Sequence, residues 1–419
     1  MKQLLTQYGG LKREIYILFV GKLVTAMGSF VWPMLTFLLT VKLGFSDGAA
    51  TFLTALATIL SLPAALAGGK LADRFSRKRI IIIFDLATVG LYILASLLPI
   101  GFHTAVMVFL GGLFQTLESP AYDALDADFS TPAQREKAFS LSYLGFNLGF
   151  VVGASVAGLL FEYHTQLAFL LNGLAVGTST LLIALFVRME NVVTAEETME
   201  ESYGEYEQPV DEKLGILKVL RDRPVVLLML LIGCFSALPS LITGILLPLQ
   251  LKEALGLHGA TVYGYLNSLN GFTVILFTPL LTMVLKRVTE IPKAALGMVL
   301  FISGMVLFAV GGPQWVLFLG MFIYTTGEVC SVLGSNPYNS RRIPASHRGR
   351  VGGVSSVVYS IFVSAVQFLV SFVLTASHSN YPMIWMVFIV CCMVAVCLYA
   401  IAYRADRRRF PKLYERADS

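Results

Sequence analysis

Two glutamates stand inside long uncharged stretches of this sequence. Glu328 lies within FIYTTGEVCSVLG, and Glu118 lies in the apolar run that leads into ESPAY. A carboxylate held away from water and counter-ions favours its protonated form, so it can bind and release protons near neutral pH. Both residues are candidate groups for coupling protons to a substrate, together with Lys22, which lies in another apolar stretch.

The composition shows how unusual these charges are. Of the 419 residues, 56% are hydrophobic and 14% are charged, whereas an average soluble domain carries about 25% charged residues. The sequence is therefore typical of an integral membrane protein. A charged group at the centre of a bilayer costs on the order of 3 kcal/mol, so each one needs a partner, a proton or a water-filled cavity.

Apolar windows of about 20 residues, the length that crosses the hydrocarbon layer, recur along the whole chain. They predict an all-α integral membrane protein with twelve transmembrane helices. The windows are 14–40, 49–69, 80–99, 105–123, 138–160, 167–187, 224–249, 261–284, 293–311, 315–334, 352–375 and 384–403. The first is too long for a signal-peptide core and no small-residue cleavage site follows it, so we expect it to be retained.

The basic residues set the expected orientation. All of the 31 Lys and Arg residues except Lys22, Lys42 and Lys252 fall before the first window, after the last, or in the loops on that same side. Basic residues are enriched in cytoplasmic loops. We therefore expect a multi-pass protein of the cell membrane with both termini in the cytoplasm.

An acidic, polar segment separates the sixth and seventh windows. Residues 190–222 run from ENVVTAEETMEESYGEYEQPVDE into KLGILKVLRDRP, which indicates a cytoplasmic linker with a short amphipathic helix. We predict six-helix bundles over 1–189 and 223–419. A shift of 210 residues places Glu118 on Glu328, and both precede a proline and a basic loop, so the bundles are expected to be pseudo-symmetric.

The most specific string is GKLADRFSRKR, between the second and third windows. It resembles the signature loop of the major facilitator superfamily, G-x-L-A-D-R-x-G-R-K/R, with Ser76 in place of the second glycine. The resemblance implies a fold of two six-helix bundles and a latch that holds them in one conformation. A loop that only sets the topology is the alternative. The implied latch residues are Gly69, Asp73, Arg74, Arg77, Lys78, Asp128 and Arg135.

The fifth window has a regular series of glycines at Gly145, Gly149, Gly153 and Gly158. Glycines spaced by four leave one helix face smooth enough for close packing. The string GASVAG, from Gly153, also resembles the antiporter signature G-P-x-x-G-G of exporters in this superfamily, with Ala154 in place of the proline and Ala157 in place of a glycine. A packing seam and an antiporter signature both remain open.

The buried charges differ between the halves. Glu118 and Glu328 each lie about 13 residues from the outer helix end, roughly 20 Å at 1.5 Å per residue. The family fold allows a Lys22–Glu118 pair, and Asp85 lies near enough to the loop cations for a structural role. Glu328 is expected to bind a proton and a substrate group alternately, since YTTGEV resembles the tenth helix of proton-coupled multidrug exporters. The alternative is a protonated Glu328 bonded to Thr325 or a backbone carbonyl.

Aromatic and amide side chains suit a tolerant apolar pocket. The candidates for cavity lining are Trp32, Gln115, Phe235, Asn267, Asn270 and Tyr324. Helix packing is the alternative reading for each. Pro33, Pro239, Pro248 and Pro279 are expected to kink their helices.

These features favour a secondary active transporter that resembles the drug:proton antiporters and exports lipophilic or cationic small molecules by alternating access. A lipid or lysolipid translocator, or a non-transporting membrane receptor, is the alternative. An enzyme is not expected, because P-loop, nucleophile-elbow and metal-ligand patterns are absent from the sequence. The expected partners are a small-molecule substrate, protons and membrane lipids, with no metal, other cofactor or nucleic acid, and the chain is expected to be a monomer.

Overall fold

The computed structural model describes residues 9–191, 220–342, 345–377, 379–409 and 414. Within these residues every regular element is helical. Residues 192–219, which include most of the predicted acidic linker and of its short amphipathic helix, lie outside the described residues.

The described helices follow the order of the predicted windows. They are α1 Arg13–Met27, α2 Asp47–Arg74, α3 Arg77–Leu97, α4 Phe102–Asp128, α5 Pro132–Tyr163, α6 Thr165–Phe186, α7 Pro224–Ser236, α8 Leu238–Leu255, α9 His258–Val284, α10 Glu290–Val310, α11 Gln314–Arg342, α12 Ala345–Ala376 and α13 Tyr381–Arg409. A short helical stretch, Leu35–Phe37 with the π-helical turn Leu38–Lys42, follows α1.

Ten segments in the described part of the chain are long and apolar enough to cross a membrane. They are α2, α3, α5, α6, α7 together with α8, and α9 to α13. The other two predicted windows coincide with α1 and its following stretch, and with α4. That helix carries Glu118, Asp123, Asp126 and Asp128, which make it less apolar than its neighbours. The all-helical membrane class is confirmed, and the count of twelve spans stays a prediction.

Two windows that the sequence predicts as continuous helices are broken. The first, 14–40, is interrupted between Met27 and Leu35, around Pro33. The seventh divides at Ala237, and Pro239 is the second residue of α8. Proline lacks the backbone N–H that continues a helical ladder, so it is favoured near a helix start. Pro248 and Pro279, by contrast, lie inside α8 and α9.

The chain divides into two compact units, and the bounds of the two six-helix bundles stay a prediction. The first unit contains the described residues of Met1–Ser46, Leu56–Ser202 and Leu251–Phe272. The second contains those of Asp47–Ala55, Tyr203–Gln250 and Thr273–Ser419. The first turns of α2 thus belong to the second unit, and the first half of α9 belongs to the first.

Each unit has its own apolar core. In the first unit, buried side chains of α1, α4 and α6, including Leu18, Leu125 and Ile183, pack together. In the second unit, the Phe308 ring packs at a tilt against both Tyr324 and Trp385, with ring centroids 6.0 and 5.8 Å apart. Core packing of this kind orients the polar side chains described next.

Candidate functional site

The clearest cluster of buried polar groups joins α3, α4 and α6 of the first unit. Asp85 and Glu118 are 2% and 7% exposed, and their carboxyl groups lie within reach of each other for a hydrogen bond. Thr180 Oγ1 donates a second hydrogen bond to Asp85 Oδ2 over 2.7 Å. An ionised carboxylate can only accept hydrogen bonds, so a bond between two carboxyls requires a proton on one of them. We call Asp85 and Glu118 the acid pair.

The partners of Asp85 differ from those that the sequence indicates. We expected Asp85 to reach the cations of the loop that precedes its helix. Its side chain instead faces Glu118 and Thr180, because α3 turns this position towards α4 and α6. The other carboxyl oxygen, Glu118 Oε2, is buried and accepts no hydrogen bond from the described residues. The acid pair thus retains an unused acceptor.

Lys22 pairs with an acid that the sequence analysis missed. Its Nζ lies 2.8 Å from Asp126 Oδ2, and Ser142 Oγ donates to the same oxygen over 2.9 Å. The Lys22–Glu118 pair that the family fold allows is not formed in the structure, where Lys22 pairs with Asp126 instead. Asp126 follows Glu118 by eight residues on α4, roughly 12 Å along the axis. It was overlooked because DALDAD reads as the polar end of a helix, although Asp126 is fully buried.

A tyrosine stands between the two charged groups. Tyr122 lies one helical turn after Glu118 and one turn before Asp126, so all three share a face of α4. Its hydroxyl is 3.3 Å from Ser179 Oγ on α6. A polar strip thus runs along the buried face of α4, with the acid pair at one end and the Lys22–Asp126 pair at the other.

The signature loop makes contacts within the first unit. Arg77 forms an ion pair with Asp128, and Lys78 donates to the carbonyl oxygens of Ala184 and Val187 over 2.8 and 2.7 Å. The lysine thereby caps the C-terminal end of α6.

The other residues of the implied latch lie as follows. Asp73 and Arg74 are exposed, and Arg135 is in the first turn of α5. Gly69 lies in open space, since a Cβ at this position would meet no atom within 4 Å. The neighbouring Gly68 makes a close helix approach instead, because a Cβ there would overlap the carbonyl oxygen of Leu117. A role for these residues as a latch stays a proposal.

The glycines of α5 lie where other backbones come very close. A Cβ at Gly145 would lie 2.8 Å from the ring of Phe19, and one at Gly153 would lie 2.5 Å from the carbonyl oxygen of Ala26. Gly149 meets the same stretch of α1. Gly158 instead meets α9, with 2.5 Å between its added Cβ and the oxygen of Ala260. The series forms one packing seam against two helices.

The candidate cavity residues of the first unit have mixed surroundings. Trp32 is 38% exposed, and its ring packs over Gly112. Gln115 and Asn270 are partly buried. Asn267 is also partly buried, and its amide donates to the carbonyl of Tyr263 over 3.0 Å. Only Trp32 presents a large apolar surface.

In the second unit the candidates separate more clearly. Tyr324 is 5% exposed and its hydroxyl donates to Ser240 over 3.2 Å, so it belongs to the core. Phe235 stacks against Phe362 at 5.8 Å. Glu328 is partly buried on α11. The Thr325 hydroxyl, one expected partner of Glu328, donates to its own helix at Met321 O over 2.7 Å.

Comparisons with known proteins identify the class. The family model of the Major Facilitator Superfamily matches residues 17–367, and the chain belongs to that family. It is 26% identical over 375 residues to the Na(+), Li(+), K(+)/H(+) antiporter of Planococcus maritimus, covering 83% of this chain and 87% of that protein. It is 24% identical over 255 residues to the multidrug resistance protein MdtH of Yersinia enterocolitica, covering 60% and 59%.

Solved transporter structures share the fold. The peptide transporter POT in complex with sulfate superposes with a TM-score of 0.71 at 17% identity, over 96% of this chain and 95% of that one. A mutant of the nucleoside transporter NupG gives 0.70 at 13% identity, over 93% and 100%. The protein is therefore a multi-pass membrane transporter, a class that is not enzymatic, and both of these predictions are confirmed.

Proposed function

We propose that this protein is a proton-coupled antiporter that exports lipophilic or cationic small molecules across the cell membrane by alternating access. The observation that carries the proposal is the acid pair, two buried carboxyl groups within reach of each other, which we propose share one proton. A relative whose name includes H(+) antiport covers 83% of the chain, which supports proton exchange. The name of the relative MdtH supports export of drug-like compounds.

The charge balance of the acid pair supplies a coupling mechanism. With one proton the pair carries a single negative charge, and loss of that proton adds a second charge in a site that is almost closed to water. Two buried carboxylates repel each other, so the doubly charged state requires compensation by a cation or by entry of water. A proton and a cationic substrate therefore stabilise the same site in different states, and this competition is what antiport requires.

Glu328 is proposed as the corresponding carboxylate of the second unit. Its partly buried position on α11 fits a group that contacts the substrate. Lys22 is proposed to neutralise Asp126, so that this end of the polar strip carries no net charge while the acid pair changes its own charge. The protein is proposed to act as a monomer with both termini in the cytoplasm.

Inorganic cations are a second candidate substrate class. The relative from Planococcus maritimus is named for exchange of Na(+), Li(+) and K(+) with H(+). The acid pair also offers an unused oxygen acceptor at Glu118 Oε2, and oxygen ligands suit hard cations. The same proton competition would then act on a metal cation rather than on an organic one.

The test is transport in proteoliposomes under an imposed pH gradient. Tetraphenylphosphonium represents a lipophilic cation, and Na⁺ and K⁺ represent the inorganic class. We expect gradient-driven movement by the wild type, a loss of at least tenfold in both Glu118→Gln and Glu328→Gln, and unchanged movement in Glu253→Gln, which alters an exposed carboxylate.

The outcomes separate the candidates. Movement of tetraphenylphosphonium assigns the organic class, and movement of only Na⁺ or K⁺ assigns the inorganic one. Transport that is indifferent to the pH gradient, together with translocation of a fluorescent lysolipid, would replace the antiporter by a lipid translocator. Equal transport in all three variants would remove both glutamates from the mechanism.

A further inference from the structure

The second unit contains a cavity that none of the candidate residues line. Its volume is about 590 Å³, and its walls come from α7, α11, α12 and α13. This volume lies within the range of roughly 300–1,000 Å³ that is usual for small-molecule sites. The cavity is separate from the acid pair and from the Lys22–Asp126 pair, which both belong to the first unit.

Most of the cavity wall is apolar. Leu227 and Leu231 on α7 face it together with Val354 and Val358 on α12. These four side chains are between 41% and 50% exposed, so their apolar surface is available to a ligand. Burying such surface is favourable by about 25 cal/mol for each Å². The wall therefore favours a hydrocarbon chain or ring.

Polar groups without formal charge complete the lining. Ser335 and Asn339 project from α11, and the Tyr399 ring closes the side formed by α13. The Tyr399 hydroxyl is already bonded to Ser236 at 2.9 Å, which holds the ring in place. The amide of Asn339 and the hydroxyl of Ser335 can donate to or accept from a ligand head group. Among the described lining residues the chemistry is thus aliphatic, aromatic, hydroxyl, amide and thiol.

We propose that this cavity binds an uncharged lipophile with one hydrogen-bonding head group. The apolar wall takes the hydrocarbon part, and Asn339 with Ser335 takes the head. An uncharged ligand fits because a cation or anion would enter a lining of neutral groups without a counter-charge among the described side chains, which is costly in an apolar site. The proposal concerns binding, and it does not depend on proton coupling or on the acid pair.

A glycine in the wall allows a direct test. Gly233 on α7 lines the cavity, and a Cβ at this position would meet no atom within 4 Å. The backbone therefore admits a side chain here, and leucine is expected to fill part of the cavity. Gly244 on α8 is an equally open glycine that does not line the cavity, so Gly244→Leu is the matched control.

The measurement is equilibrium binding of tritiated monolaurin, an uncharged monoacylglycerol, to the purified full-length protein by scintillation proximity. We expect saturable binding that is at least tenfold weaker in Gly233→Leu and within twofold of wild type in Gly244→Leu. Equal weakening in both variants, or none in either, would overturn the proposal. Tighter competition by tetraphenylphosphonium than by unlabelled monolaurin would also overturn it, because that result requires a charged site.

Alkylation of Cys234 provides a second readout that does not depend on the leucine variant. This thiol lines the cavity, and the other four cysteines can be changed to serine. Monolaurin is expected to slow the reaction of Cys234 with N-ethylmaleimide at least fivefold, and an unchanged rate would contradict the proposal. Competition by a phosphatidylcholine would assign the site to an acyl chain of the bilayer, and its absence would assign the site to a free lipophile.

Discussion

Replacing Lys22 by methionine should destabilise the protein far more than replacing its partner Asp126 by asparagine. The asymmetry follows from burial, since the side chain of Lys22 is 23% exposed and that of Asp126 is fully buried. Removing one member of a buried ion pair costs about 3–5 kcal/mol because the other charge is left without compensation. Ser142 still donates to Asp126 in Lys22→Met, so we expect about 3 kcal/mol.

Replacing Asp126 instead leaves Lys22 without its counter-charge. In Asp126→Asn the lysine can extend its flexible stem towards water, and the amide oxygen still accepts from Ser142, so we expect a loss of about 1 kcal/mol. The double variant removes both charges and should cost less than Lys22→Met by itself. This order, rather than any single value, distinguishes a buried ion pair from simple side-chain packing.

The assay is reversible unfolding in mixed detergent micelles, followed by the fluorescence of the three tryptophans. Lys70→Met is the control, because Lys70 is exposed and should change the free energy of unfolding by no more than about 0.5 kcal/mol. If Lys22→Met and Asp126→Asn cost the same, or if the double variant equals the sum of the singles, the argument from burial is refuted.

Three further substitutions test other parts of the structure. Gly149→Ala should lower the free energy of unfolding by about 1–3 kcal/mol, because the added methyl meets α1 and overpacking must shift a backbone. The control Gly90→Ala, where the added methyl enters open space, should be neutral or stabilising in the same unfolding assay. Gly68→Ala should lower transport and thermal stability, whereas Gly69→Ala should preserve both, the opposite of what the loop motif indicates. Thr180→Val removes a hydrogen bond to the acid pair, so its pH–rate profile should shift while Thr178→Val, which alters an exposed threonine on the same helix, leaves the profile unchanged.

The class of the protein follows from its sequence, but the partners of its charges do not. Composition and the loop from Gly69 to Arg79 are sufficient for the membrane class and for the family, and the family model confirms both. Depth along a helix can be read by counting residues. The direction in which a side chain points also depends on how the helix is rotated about its own axis. Successive side chains point in directions about 100° apart, so a small error in rotation changes the predicted contact.

Helix rotation, which counting residues does not give, explains why the partner of Lys22 and the contact at Gly68 were missed. A Lys22–Glu118 pair was considered because the two residues lie at a similar depth in the membrane. Asp126 lies on α4 as well and faces α1, but it falls in the polar end of that helix, which a hydropathy window leaves out. Gly68 and Gly69 are adjacent in sequence but face different ways, so only one meets Leu117. The regular spacing in α5 gave a better guide, because residues four apart share a face. The breaks near Pro33 and Pro239 were expected only as kinks.

Proton release on substrate binding tests the central claim most directly. The purified protein is placed in weakly buffered detergent solution with a pH-sensitive dye, and saturating tetraphenylphosphonium is added to the wild type, Glu118→Gln and Glu253→Gln. We predict that wild type and Glu253→Gln release protons in proportion to bound substrate, and that Glu118→Gln releases at most a tenth of that amount. Equal release by Glu118→Gln would contradict the assignment of the exchanged proton to the acid pair.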